Sequence, residues 1–397
     1  MEDTVEPRSS RPAYSGRRSR RLACGEPQEG AARLRPAFSR RESEQDGPDF
    51  WRDYGCRRFF VTRLPGGAGR AGWSYAGNNM LLLTESDVID LLPMGKAIEL
   101  TREAFFGLAR GNSQNQPRRR LAAASGAILH QLAGAHGRYF GAKIYSTHVR
   151  HGAWFLVLLY EAATGRPRAL FEANHLGRIR TGAASGVATD LLAASGSRVL
   201  GVIGSGFQAL GQVEAIRAVR PIERIRVWSR NEERRRRFAE ECAQRFTVVC
   251  EAAGSAREAV EGADIIVTAT FAKDPVLEAD WVAPGAHINA VGSNNPQRRE
   301  LPAGLLERAA VIAVDSLDQA VLEAGDLLLW KGQEFRQAPN VTELATLLSK
   351  GPERRAAHGI TVFKSVGLGV EDIAVAEFVY EQALSQGIGI PLPLFQS

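Results

Sequence analysis

At 397 residues, 44% hydrophobic and 24% charged, the chain has the make-up of a globular protein long enough for two domains with cores of their own; no apolar run approaches the ~20 residues of a membrane-spanning helix, and the N-terminus lacks the layout of a secretory signal. The net charge of +6 implies no anionic partner once it is located, because residues 1–79 hold 15 Arg, no Lys and 10 Asp or Glu, leaving only +1 for residues 80–397, where no nucleic-acid-reading module is recognisable. Four cysteines (Cys24, Cys56, Cys242, Cys250) without CxxC spacing exclude a zinc ribbon and a disulfide framework, and point to reduced thiols in the cytoplasm.

Residues 1–79, rich in Arg, Gly, Ser and Pro and without an apolar period, read as a disordered extension; Glu2, Asp3, Glu6, Glu26 and Glu29 argue against a targeting peptide. Met80 is a natural start for the patterned chain, the preceding segment then being an upstream extension. Thr84-x-x-Asp87 reads as a capping box before a short helix, and Pro93 opens a second helix carrying Ile98, Thr101, Phe105 and Leu108 on one face, closed at Gly111. Trp154–Tyr160, Thr164-Gly165 and Arg168–Phe171 read as a hairpin. The small-residue run over 177–194 reads as a helix that lets another backbone approach closely. From about 197 to 320 the pattern becomes strand, helix, strand, with β-rich runs at Val199–Ile203, Ile225–Trp228, Ile265–Thr268, His287–Val291 and Val311–Asp315. That alternation predicts a doubly wound parallel sheet. Residues 321–397 are too few for a large core, so they are expected to return and complete the first domain. The expected fold is therefore α/β: a Rossmann domain over 197–320, and a discontinuous α+β catalytic and dimerisation domain built from 80–196 and 321–397.

The sharpest motif is Gly204-x-Gly206-x-x-Ala209, which follows one predicted strand and opens one predicted helix. The first glycine makes the tight turn, the second lets the backbone approach a pyrophosphate, and the third small residue lets helix and strand pack closely. Ser205, Phe207 and Gln208 share that turn, and the free N–H groups of the helix start face the phosphates. A site built for NAD places a carboxylate at the end of the next strand for the ribose hydroxyls. Here Ser229, Arg230 and Asn231 stand there, with no carboxylate before Glu232. Their donors and fixed positive charge suit a 2′-phosphate, so NADP(H) is expected over NAD(H). The run Arg234–Arg237 reads as a solvated helix face.

Several strings occur in order over residues 80–397: QPRRR (116–120), AKIYS (142–146), RTGAASGVAT (180–189), GSGFQA (204–209), ADIIVTAT (263–270), WVAPGAHINAVGSN (281–294), VDS (314–316) and TVFKSVG (361–367). In these the chain resembles the ornithine cyclodeaminase/mu-crystallin family, which spans cyclodeaminases, amino-acid dehydrogenases, cyclic-imine reductases and a hormone-binding crystallin. The resemblance implies a homodimer paired through the discontinuous domain. It also implies roles: Arg119 for the substrate carboxylate, Lys143 beside the reacting carbon–nitrogen bond, and Arg180 and Thr181 between substrate and cofactor phosphate. Thr268, Ala269, Thr270, Val291 and Gly292 would complete the cofactor's surroundings. Taken by themselves, Arg118, Arg119 and Arg120 are consecutive and only the motif chooses among them; an isolated lysine such as Lys143 is ordinarily a surface residue.

These roles imply hydride transfer to the C=N carbon of an α-imino acid, with Lys143 as proton donor or polarising charge and a pKa lowered by cationic neighbours and a closed pocket. Run backwards, the same site oxidises an α-amino acid. Cyclodeaminases carry an aspartate in the loop after the fifth Rossmann strand, where this chain has Asn294, and an amide is no general base near neutral pH. Imine reduction is thus expected ahead of ornithine cyclodeamination, with a non-catalytic, nucleotide-dependent binding protein as the rival from another class. Asp315 is an alternative carboxylate, expected in a structural role. His148-x-x-His151 has no acidic partner nearby and is not expected to hold a metal.

Overall fold

Thr84 caps the first described helix as its spacing predicts: its hydroxyl accepts the Asp87 N–H, and Asp87 Oδ2 accepts the Thr84 N–H at 2.8 Å. The computed structural model describes residues 80–351 and 359–394, so the expectation for residues 1–79, with Cys24 and Cys56, lies outside the described residues. Gly111 closes the second helix in the left-handed region at φ 75°, where a side chain would be strained.

In chain order the first part runs β1 (Met80–Leu83), α1 (Glu85–Leu91), α2 (Met94–Arg110), β2 (Gln114–Ala122), β3 (Ile128–His136), β4 (Tyr139–His148), β5 (Gly152–Glu161), β6 (Pro167–Glu172) and α3 (Asn174–Leu192). The nucleotide-binding pattern follows as β7 (Val199–Ile203), α4 (Phe207–Val219), β8 (Arg224–Trp228), α5 (Glu232–Phe246), β9 (Val249–Ala252), α6 (Ala256–Val260), β10 (Ile265–Thr268), β11 (His287–Ala290), α7 (Ala303–Arg308) and β12 (Ala309–Val314). Last come α8 (Leu317–Glu323), α9 (Gly325–Lys331), β13 (Val341–Glu343), α10 (Leu344–Ser349), β14 (Ile360–Lys364), α11 (Gly369–Gln386) and β15 (Ile390–Leu392).

Two sheets result. One has the order β15-β1-β6-β5-β4-β3-β2 and is mostly antiparallel; the other is parallel, in the order β13-β12-β14-β11-β10-β7-β8-β9. In the parallel sheet β7 is flanked by β8 and β10, so the chain reverses direction of winding at the glycine turn, where open α/β sheets bind their ligands. The segment expected to rejoin the first domain is divided: β13 and β14 extend the parallel sheet, whereas α11 and β15 go back to the first. Strand β14 inserts between β11 and β12, because the run Ile360-Thr361-Val362-Phe363 is apolar and β-branched enough to be buried on both faces.

Close packing of α11 on the first sheet depends on Gly134 and Gly369. A Cβ on Gly134 would strike the backbone at Val370, and one on Gly369 would strike the backbone of Ala133. Likewise α3 and α4 meet where Gly182 abuts the Gly211 backbone, which is what the small-residue run predicts. Among the described residues no helix is long and apolar enough to cross a membrane.

Candidate active site

Strand β14 ends against the first sheet, and there the chemistry collects. Arg118 of β2, nearly fully buried, donates from Nη2 to the carbonyl of Val366 at 2.7 Å and from Nη1 to Glu323 Oε1 at 2.7 Å. Asp315, at the end of β12, accepts the N–H groups of Val366 and Gly367, each at 2.7 Å, and the Ser365 hydroxyl at 3.1 Å. Its expected structural role is thus visible as the anchor of the turn after β14. Gly367 is in the left-handed region at φ 80°, and a Cβ there would come within 2.5 Å of Arg180 Nη1.

Lys143 comes from the middle of β4 and is 4% exposed. Its Nζ lies 3.3 Å from Asp372 Oδ1. Arg180 of α3 donates from Nε to the same oxygen at 2.8 Å and from Nη1 to Glu371 Oε2 at 2.9 Å. Burial, reinforced by the charge of Arg180 and opposed by Asp372, brings the Lys143 pKa down to about 8. Burial likewise pushes Glu371 up to about 8, against the pull of Arg180. Glu371 Oε1 and Asp372 Oδ2 are buried without a partner among the described residues, so each carboxyl keeps one oxygen for a ligand. The chemistry available is proton delivery at Lys143 Nζ beside two unused carboxyl oxygens.

One expectation is at odds with the structure. Arg119 is exposed, while Arg118 and Arg120 both reach Glu323, so Arg119 points to the opposite face of β2. A shift of register falls between Gln116 and Arg119, and Arg118 is the buried one of the three consecutive arginines. Two nitrogens of Arg180 are engaged by Glu371 and Asp372. Thr181 donates its hydroxyl to the Gly177 carbonyl at 2.7 Å within α3. Asn294 is exposed, and its carbonyl accepts Arg120 Nη2 at 2.9 Å. Sequence reasoning missed Glu371, Asp372 and Glu323; the first two sit at the start of α11 in a run, Glu-Asp-Ile-Ala, that reads as an ordinary helix beginning.

The glycine turn fits a dinucleotide. Gly204 adopts φ 115°, where a side chain would be strained and would strike the Ala269 carbonyl. Gly206 starts α4 in extended backbone with no side-chain cap and open space where a Cβ would lie, which gives a phosphate room to approach the helix start. Ala209 is fully buried. Ser205 Oγ donates to Ser229 Oγ at 2.8 Å, joining the turn to the end of β8; Asn231 caps α5 through its side chain, and exposed Arg230 makes no ion pair with the described residues. The Phe207 ring centroid lies 4.7 Å from the Arg178 guanidinium, and Gln208 Oε1 is buried without a partner among the described residues. Glu300 ties the neighbouring strand ends together, accepting from Thr268 Oγ1 at 3.0 Å, Thr270 N at 2.7 Å and Gly292 N at 2.8 Å, while Val291 N bonds the Thr268 carbonyl at 2.9 Å. Buried Lys364 braces this end through Asp326 Oδ2 at 2.9 Å and the Ser293 carbonyl at 2.7 Å. Among the described residues no three metal-ligating side chains come together; His148 and His151 pack ring against ring, and His148 Nδ1 accepts the Arg150 N–H at 3.0 Å.

A parallel sheet with this turn, beside a buried lysine set against a carboxylate, defines the class of nicotinamide-nucleotide-dependent α/β enzymes. Comparison with known proteins narrows it. The model of the ornithine cyclodeaminase/mu-crystallin family matches residues 78–387. A Delta(1)-pyrroline-2-carboxylate reductase of Bacillus cereus is 42% identical over 236 residues, 59% of this chain and 72% of its own length. The structure of Thermococcus litoralis Delta(1)-pyrroline-2-carboxylate reductase in complex with NADH and L-proline superposes with a TM-score of 0.75 at 33% identity, covering 79% of this chain and all of that one. An archaeal alanine dehydrogenase dimer with bound NAD gives a TM-score of 0.74 at 32% identity, over 80% of this chain and all of that one. The chain belongs to the ornithine cyclodeaminase/mu-crystallin family.

Proposed function

We propose that this protein is a nicotinamide-nucleotide-dependent oxidoreductase that reduces the C=N bond of an α-imino acid, or oxidises the corresponding α-amino acid. The observation that carries the reading is the buried Lys143–Asp372 pair beside the carboxyl ends of the parallel strands. When bound at the Gly204–Gly206 turn, the reduced nicotinamide supplies the hydride. The chain supplies alignment, charge and the proton. Arg118 offers the substrate carboxylate one donor, its Nε, which is buried without a partner among the described residues, while Glu323 and the Val366 carbonyl hold its other two nitrogens. Lys143, with a pKa about 8, is largely protonated at neutral pH and gives its proton to the imine nitrogen. Asp372 Oδ2, unpartnered among the described residues, accepts an N–H of the amine that results.

Three finer points belong to this reading. NADP(H) is preferred over NAD(H), supported by exposed Arg230 and the absence of a carboxylate between Trp228 and Glu232. The protein pairs as a homodimer through the outer face of the first sheet, where Leu121, Trp154 and Leu156 are 69%, 67% and 43% exposed. Cys242 and Cys250 are free thiols, which suits the cytoplasm. Asn294 in place of a carboxylate speaks against ornithine cyclodeamination. The domain division is drawn at the same level: β7 to β14 form the nucleotide-binding part, and the first sheet with α11 forms the catalytic and pairing part. The test is purified protein with NADPH and a panel of cyclic imines and 2-oxo acids plus amines, followed by absorbance of the reduced nicotinamide. Consumption confined to α-imino acids supports the reading, and no consumption with any of them overturns it.

A further inference from the structure

Three aromatic rings stand in one cross-strand row beside Lys143. Tyr145, two residues along β4 and on the same face, pairs in register with His130 of β3 and Phe155 of β5. The His130 and Tyr145 rings stack with centroids 4.2 Å apart at an interplanar angle of 1°, and Tyr145 and Phe155 stack at 4.8 Å and 20°. Lys143 Nζ lies 5.4 Å from the Phe155 centroid and 5.8 Å from that of Tyr145. Two other approaches to Nζ are taken: Asp372 occupies one, and Gly177 of α3 sits so close to another that a Cβ there would fall 2.8 Å from Nζ. The aromatic row lines a further side, against which the atoms attached to a nitrogen that takes its proton from Lys143 can lie. Tyr145 has both faces covered, so the row offers ring edges, which meet the face of a flat ring favourably. At its far end His130 Nδ1 is buried without a partner among the described residues, while Nε2 bonds Thr147 Oγ1 at 2.9 Å.

We infer that the His130–Tyr145–Phe155 row is the specificity wall of the site, selecting an α-imino acid whose C=N bond lies in a flat ring over an open-chain imine of the same carboxylate. This rests on the imine-reduction reading and deepens it. An open-chain substrate with a methyl side chain leaves the ring edges uncovered and gains nothing from them, whereas a five- or six-membered ring covers them.

The experiment compares kcat/KM with NADPH for Δ1-pyrroline-2-carboxylate and for the open-chain imine formed from pyruvate and methylamine. Wild type is expected to favour the ring at least tenfold. Tyr145→Ala is expected to lower kcat/KM for the ring imine tenfold or more and to leave the open-chain value within threefold, while Tyr145→Phe keeps the wild-type ratio. Equal losses on both substrates would show that the row merely supports Lys143 and would overturn the inference, as would no loss on either. Should Tyr145→Ala not fold, Phe155→Leu at the half-buried end of the row takes its place, with a selective loss of threefold or more on the ring imine expected and a parallel loss on both again overturning the inference. If wild type consumes NADPH with neither imine, the underlying reading fails; if it consumes NADPH with both equally well, only the wall fails.

Discussion

Lys143 Nζ and Arg180 Nε converge on one oxygen, Asp372 Oδ1, at 3.3 and 2.8 Å. Burial lowers the lysine's pKa and the Arg180 charge adds to it, while the Asp372 carboxylate, shared with Arg180, offsets only part. This makes the ammonium acidic enough to deliver a proton near neutral pH. Lys143→Met removes that donor at nearly constant volume. General acid groups contribute about 10²- to 10⁴-fold, so kcat for imine reduction is expected to fall by about that factor while the affinity for NADPH, measured by calorimetry, stays within threefold.

Gly204→Ala acts at the other half of the site. A Cβ at φ 115° that also strikes the Ala269 carbonyl leaves no unstrained arrangement of the turn. Strain of this kind costs about 1–3 kcal/mol. The variant is expected to unfold at lower denaturant concentration and to bind NADPH at least tenfold more weakly, read by urea titration and calorimetry.

Arg230→Ser tests the choice of nucleotide. The side chain is exposed and free of ion pairs among the described residues, so its loss leaves the fold intact. Affinity for NADPH is expected to fall about tenfold or more and that for NADH to change less than twofold. Equal weakening of both nucleotides would contradict the 2′-phosphate assignment.

Trp154→Glu places a charge in the apolar outer face of the first sheet, at a position 67% exposed in the single chain. Wild type is expected to sediment as a dimer and the variant as a monomer, in analytical ultracentrifugation at the same concentration.

Local features are the ones legible in the amino-acid sequence. The glycine turn is legible because its three small residues answer one geometric demand between a strand and a helix, and Gly204 at φ 115° with a buried Ala209 meets it. The Thr84–Asp87 cap and the 152–172 hairpin are legible for the same reason, each being closed by residues near one another in the chain. The choice among three consecutive arginines is not, because it rests on which of them β2 buries, beside a register shift that the sequence does not locate. Nor is the acidic pair of α11: Glu371 and Asp372 reach Lys143 and Arg180 because Gly134 and Gly369 let the helix settle onto the sheet, and the Lys143–Asp372 contact spans 229 residues of chain. Strand β14 escapes for a related reason, its short run lying inside a segment whose pattern suggests helix and loop.

The most direct test of the account is the pH dependence of kcat/KM for imine reduction by wild type and by Asp372→Asn. The Lys143 pKa of about 8 lies below its ordinary value, so the protonated donor is present at pH 6 to 7 and is lost as pH rises through 8. Wild type should therefore show a plateau that gives way to a tenfold fall per pH unit above about 8. Since Asp372 holds the lysine's proton on, the amide variant should move that fall to lower pH. A profile flat through pH 8 to 10, or a fall in Asp372→Asn at the same pH as in wild type, would contradict proton delivery by Lys143 under the control of Asp372.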